Sequence, residues 1–151
     1  MTGKAIPEGY HSITPYLAVH EAGKLIDFLK RSFDAQEVRR HTMPDGTVAN
    51  AEIKIGDSMV MIGEAPKEHS TMKSMLYHYV SDVDSVYQAA LAAGGASVRE
   101  PQDQYYGERV AGVADPAGNQ WWIATREEDL STEEMAKRMT AMLKQKSEAM
   151  Q

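Results

Sequence analysis

The chain has 151 residues, 42% of them apolar and 25% charged, which is enough apolar material for a core in one domain or in two very small ones. Its net charge is −6 and its basic residues are scattered, which argues against a polyanionic partner and so against nucleic acid. It has no cysteine, so disulfides, thiolate metal sites and thiol nucleophiles are excluded together.

The opening residues, MTGKAIPEGYHS, lack the apolar stretch of a signal peptide, and no later run is long enough to cross a bilayer. The expectation is a soluble, cytoplasmic protein. Residues 1–11 are polar, carry Pro7 and Gly9, and read as an arm. From Ser12 to Val19 the chain favours a strand, with Pro15 confining it to an edge or to the strand's first part. Leu25, Ile26, Phe28, Leu29 and Phe33 then fall at helical spacing, opposite Lys24, Asp27, Lys30 and Arg31. Strands are predicted over Glu37–Met43, Val48–Ile55 and Met59–Ile62, separated by turns at Pro44-Asp45-Gly46 and Gly56-Asp57. Residues 64–74 are a polar connection.

The order then starts again. A strand is predicted over Met75–Val80, and a helix over Val83–Ala93, stopped by Gly94-Gly95. Another strand begins at Val98. Arg109–Ala114 and Gln120–Ala124 form a hairpin about the turn Asp115-Pro116-Ala117-Gly118-Asn119, where Pro116 fixes one φ and Gly118 accepts a positive one. Its second strand holds Trp121 and Trp122, which point to opposite faces, so both faces need cover. Shifting one half onto the other by 61 residues lays Val19 on Val80, Ala35 on Ala96, Gly46 on Gly107 and Ile62 on Ile123. Each half is βαβββ, too small to be stable alone. The predicted fold is therefore α+β. Two βαβββ modules, 12–66 and 73–127, form a curved mixed eight-stranded sheet with the helices outside and a concave face inside.

Residues 128–151 add a C-terminal amphipathic helix. Ser131 and Glu134 make a capping box, and Met135, Met139, Met142 and Leu143 form a stripe. Such a helix must dock on the body of the protein or on a second subunit, and a homodimer is the expected use. Its mixed charges do not suit a membrane surface.

Four segments carry a family likeness: Ile13-Thr14-Pro15-Tyr16-Leu17, Val80-Ser81-Asp82-Val83-Asp84, Tyr106-Gly107-Glu108-Arg109, and Asp115-Pro116-Ala117-Gly118-Asn119-Gln120-Trp121. Over residues 10–127 the chain resembles the vicinal oxygen chelate superfamily, which includes glyoxalase I, bleomycin-resistance proteins and extradiol dioxygenases, and within it the PhnB-like branch. The resemblance implies paired βαβββ modules. In metal-dependent relatives it also implies a divalent cation held by His or Glu from the first and last strands of each module. Those positions here are Thr14, Met61, Met75 and Trp122, and none offers imidazole or carboxylate. No metal and no other cofactor is expected.

Strand alternation places Thr14, Tyr16, Met75, Tyr77, Tyr79 and Trp122 on the concave face. The expected ligand-binding residues are Tyr16, Met61, Met75, Tyr77, Tyr79, Arg109 and Trp122. This set suits a flat, partly apolar small molecule, or else a collapsed core. Arg109 is an anchor for carboxylate or phosphate, or a surface ion-pair partner of Glu108 or Asp103. His41 and Glu52 are the candidates for acid–base catalysis, Glu52 being otherwise part of a solvated polar face. No Ser-His-Asp order, phosphate-binding glycine loop or dinucleotide fingerprint is present. Three readings follow: a small-molecule binder with no assigned reaction, a lyase, isomerase or dioxygenase with a displaced metal or acid–base pair, and a drug-sequestering protein.

Overall fold

The computed structural model describes residues 3–150; Met1, Thr2 and Gln151, the outermost residues of the predicted arm and tail helix, lie outside the described residues. In chain order the elements are β1 (Tyr16–Val19), α1 (Ala22–Phe33), β2 (Gln36–Thr42), β3 (Val48–Ile55), β4 (Ser58–Glu64), β5 (Met75–Tyr79), α2 (Val83–Ala92), β6 (Ala96–Asp103), β7 (Glu108–Ala114), β8 (Gln120–Arg126) and α3 (Thr132–Ala149). The βαβββ duplication and the tail helix stand as expected. β1 is shorter than predicted: residues 12–15 lie outside the strand, and Pro15, which has no N–H to give, contributes only its carbonyl, to Met61 N at 2.9 Å.

The helix ends are satisfied in three ways. Asp82 Oδ1 accepts from Ser85 N at 3.2 Å and Ser131 Oγ from Glu134 N at 3.1 Å. At α1 the preceding Glu21 adopts a left-handed conformation and offers no side-chain cap. Glu64, at the end of β4, instead accepts from the backbone N–H of both Glu21 and Ala22 at 2.9 Å.

The eight strands form two sheets rather than one. Their orders are β1-β4-β3-β2 and β5-β8-β7-β6, with the β1–β4 and β5–β8 pairs parallel and the others antiparallel. The helices do not lie outside a shared concave face either. Leu25, Ile26, Phe28, Leu29 and Phe33 of α1 enter a single core with Ile53 and Ile62 of the first sheet and with Val113, Trp121 and Ile123 of the second. α1 also reaches the second module: a Cβ on Gly95 would stand 3.0 Å from the Phe28 ring, and the Phe33 ring lies 5.0 Å from that of Trp121 and 4.8 Å from that of His78. The helix-bearing faces of both sheets thus turn toward one another, and the two opposite faces turn outward. A single domain results, because each half completes the other's core.

The halves align with a small internal slip. Tyr16 pairs with Met61 as Tyr77 pairs with Trp122, an offset of 61 residues. Glu52 pairs with Met61 as Gly112 pairs with Trp122, so β3 and β7 are offset by 60. The longer turn at 115–119 restores the difference. One consequence is that Arg109 corresponds to Ala49 rather than to Val48.

Candidate functional site

The two outward faces carry most of the side chains expected to bind a ligand, but they carry them separately. On the first sheet Tyr16, Arg39, His41, Asn50, Glu52 and Met61 line a groove of about 300 Å³. The Tyr16 ring lies directly over Gly63, leaving no room for a Cβ there. Glu52 is already engaged: Tyr10 donates its hydroxyl to one carboxylate oxygen, and Arg39 Nε stands 3.5 Å from the other. Burial, followed by the bond to Glu52, raises the Tyr10 pKa to about 12, so this hydroxyl is a donor at every physiological pH.

On the second sheet Met75, Tyr77 and Tyr79 of β5 point outward and are about half or more exposed, while Leu76 and His78 turn inward, as the alternation predicts. His78 packs against Phe33 and Trp121, and burial pushes its pKa down. The double tryptophan divides as expected. Trp121 is buried in the core, and Trp122 lies on the outward face, stacked on Gly112 so closely that a Cβ there would stand 2.9–3.1 Å from its ring atoms.

Arg109 departs from expectation. It faces α2, where Nε and Nη2 donate to Asp84 at 3.1 and 2.9 Å and Nη1 to Asp103 at 3.1 Å. Alternation along β7 puts it on the face opposite Trp122, so it takes the ion-pair reading and is absent from the aromatic face. Its neighbour Glu108 holds the other position. Glu108 is 5% exposed and accepts from Tyr77 Oη and Tyr79 Oη, each at 2.6 Å, and from Arg126 Nε at 3.4 Å. Burial alone would raise its pKa, but these three donors outweigh it and hold it below the ordinary carboxylate value. The Tyr77 pKa rises, first through burial and then through its bond to Glu108. In Tyr79 the bond to Glu108 is the leading cause of the same rise. Sequence reasoning passed over Glu108; the alternation that places Gly112 beside Trp122 would have found it four residues earlier.

The depressed Glu108 pKa has a sign that can be checked. Its contribution to stability is complete above the unfolded-state value of about 4.3 and is lost as pH falls through the folded-state value. Glu108→Gln should therefore unfold more easily at pH 7 by about 1–2 kcal/mol. The gap to the native protein should close in thermal melts taken toward pH 3. A gap of the same size at both pH values would show that the carboxylate is not held ionised.

A metal centre does not fit the donor set. Met61, Met75 and Trp122 supply two thioethers and an indole, Thr14 adds a hydroxyl, and the side chains paired with Met61 and Trp122 in register are Tyr16 and Tyr77. Among the described residues no three His, Asp or Glu side chains converge. Nor is any described helix long and apolar enough to cross a membrane.

Residues 9–123 match the profile of the glyoxalase/bleomycin resistance protein/dioxygenase superfamily. The chain belongs to that superfamily. It is 31% identical over 141 residues to the uncharacterized protein Rv0887c of Mycobacterium tuberculosis, a match spanning 86% of this chain and 83% of that one. The uncharacterized protein Mb0911c of Mycobacterium bovis matches at the same identity over 93% of its length. Among solved structures, TioX from Micromonospora sp. ML1 superposes with a TM-score of 0.66 at 26% identity, over 77% of this chain and 98% of TioX. The Arabidopsis thaliana gene product AT5G48480 superposes at 0.63 with 20% identity, over 76% and 98%, and so speaks for the fold alone.

Proposed function

We propose that this superfamily member is a PhnB-like, homodimeric small-molecule-binding protein that works without the superfamily's metal centre and has no assigned reaction. The observation carrying this reading is the outward exposure of Tyr16, Met75, Tyr77 and Tyr79 on faces turned away from the chain's own core. Exposed aromatic and thioether groups gathered on a sheet face need a cover. In this reading the first-module face of one copy meets the second-module face of another, and the aromatic cleft lies between them. The stripe of α3, where Met135, Met139 and Leu143 are also exposed, supplies further apolar surface for the same association. The likeness to the PhnB-like branch rests on the four sequence segments quoted above.

A second reading, acid–base catalysis, is favoured by one observation: His41 and Glu52 line the same groove. The Tyr10 and Arg39 contacts to Glu52 count against its service as a free base. Both readings meet the same experiment. Light scattering on the purified chain should give a dimer, and a thermal-shift screen of aromatic compounds should raise its melting temperature. A monomer that no aromatic compound stabilises would sink the binding reading. Stoichiometric divalent metal, whose removal by chelator lowers the melting temperature, would sink the metal-free one.

A further inference from the structure

Every arginine of the chain but one pairs with a carboxylate: Arg31 with Asp27, Arg39 with Glu52, Arg40 with Glu37, Arg109 with Asp84, Arg126 with Glu108 and Arg138 with Glu128. Arg99 has no such partner among the described residues. Its guanidinium lies over the Trp122 ring, 4.9 Å from the centroid, and its Nε is buried with no acceptor. An arginine left unpaired in a chain of net charge −6 is not short of carboxylates to choose from. Its position is held by something else.

A β-bulge holds it. Ser97 pairs with Val113, but Arg99 pairs with the very next residue back, Gly112, so β6 carries one residue more than β7 over this step. In regular pairing, two residues so spaced as Ser97 and Arg99 would share a face. With the bulge, Ser97 faces α2 and its Oγ accepts from Tyr87 Oη at 2.7 Å, while Arg99 crosses to the outward face. There it completes a row across the sheet, Tyr77–Trp122–Gly112–Arg99. Gly112 lets the indole lie flat, and the indole in turn seats the guanidinium.

We propose that Arg99 is the anion anchor of the ligand cleft, and that the ligand is a small aromatic anion bearing one carboxylate or phosphoryl group. This rests on the binding reading above and gives it a substrate class. A cation seated on an indole uses its faces for the contact. With Nε buried, the two Nη groups at the outer end of the guanidinium remain for two parallel hydrogen bonds to one anionic group. Trp122 fixes the plane of the fork, and Tyr77 in the same row offers a ring for the ligand's body. The acidic protein as a whole repels polyanions, so one seated arginine selects a compact ligand of low charge. The role that sequence spacing gave to Arg109 passes to Arg99, which differs in having no intramolecular carboxylate to displace.

The test is a titration of the full chain with benzoate, phenylphosphonate, inorganic phosphate, benzamide and benzylamine, followed by tryptophan fluorescence and thermal shift. Benzoate or phenylphosphonate should bind, each more tightly than neutral benzamide and cationic benzylamine; which of the two leads identifies the anionic group. Arg99→Met should weaken the anion by about tenfold or more while leaving benzamide unchanged, and Arg99→Lys should recover part of the loss. Equal binding of benzoate and benzamide, or an Arg99→Met variant that keeps anion affinity, overturns the anchor and leaves the aromatic cleft standing. An Arg99→Met variant that dissociates the dimer with anion affinity intact also overturns it, and assigns Arg99 to a carboxylate of the second copy. Failure of all five compounds removes the binding reading and the anchor together. Arg99→Met should melt within a few degrees of the native protein, because the side chain it replaces carries no ion pair.

Discussion

Replacing Phe33 with alanine should destabilise the protein by about 4 kcal/mol, the cost of a cavity left by a buried ring that its neighbours cannot fill. Phe33 closes α1 and is 7% exposed. Its ring touches Phe28 of its own helix edge-on at 5.9 Å, and His78 and Trp121 of the other module at 4.8 and 5.0 Å. The substitution therefore removes a contact that joins the halves. Phe33→Leu, which keeps most of the volume, should cost only about 1 kcal/mol. Urea unfolding followed by far-ultraviolet dichroism measures both. A loss under about 1 kcal/mol for Phe33→Ala would mean that the modules are held together elsewhere. The same variant should relax the depressed His78 pKa upward, because burial is its sole resolved cause. Proton NMR titration of the imidazole reads that change directly.

Asp115→Ala should cost about 3 kcal/mol, a fall of roughly 10 °C in melting temperature for a domain of this size. Asp115 is buried and organises the hairpin turn. Its carboxylate accepts from Ala117 N at 2.9 Å, Asn119 N at 3.0 Å, Asn119 Nδ2 at 3.1 Å and Trp121 Nε1 at 2.8 Å. Asn119, so held, accepts from Ser74 N at 2.9 Å and ties the turn to the start of β5. Alanine leaves the Trp121 indole N–H without an acceptor inside the core, which is why the loss exceeds that of an ordinary turn residue. Asp115→Asn should fall between alanine and the native residue, since one of its side-chain atoms is a donor facing donors. Equal melting temperatures for the alanine variant and the native chain would show that the turn is fixed by Pro116 and Gly118 alone.

Much of the fold was legible because its signals are local. Leu25, Ile26, Phe28, Leu29 and Phe33 repeat at helical spacing, and the paired turns repeat at a nearly constant offset. Which tryptophan enters the core followed from alternation together with the overlay of the two halves, which sets Trp122 level with Met61. The relation between the sheets was not legible. Alternation states which residues share a face but not toward what that face turns, and the choice was made by Phe28 and Phe33 packing across the module boundary. The aromatic residues of the site were found for the same local reason, and its charges were not. Arg109 was placed by an overlay one residue out of step in β7, which exchanged it with Glu108. Arg99 was invisible because the bulge that aims it leaves no mark in composition or periodicity.

The bulge gives the cleft an unusual form of inheritance. Whether it presents a cation depends on how β6 pairs with β7 after Ser97, and not only on which residues the strand contains. Were β6 to pair regularly with β7 after Ser97, Arg99 would lie opposite Ala111 and turn toward α2 while every chemical group of the site survived in the sequence. In evolution, affinity for an anion could thus be gained or lost through pairing register alone, with the catalogue of side chains around it unaltered.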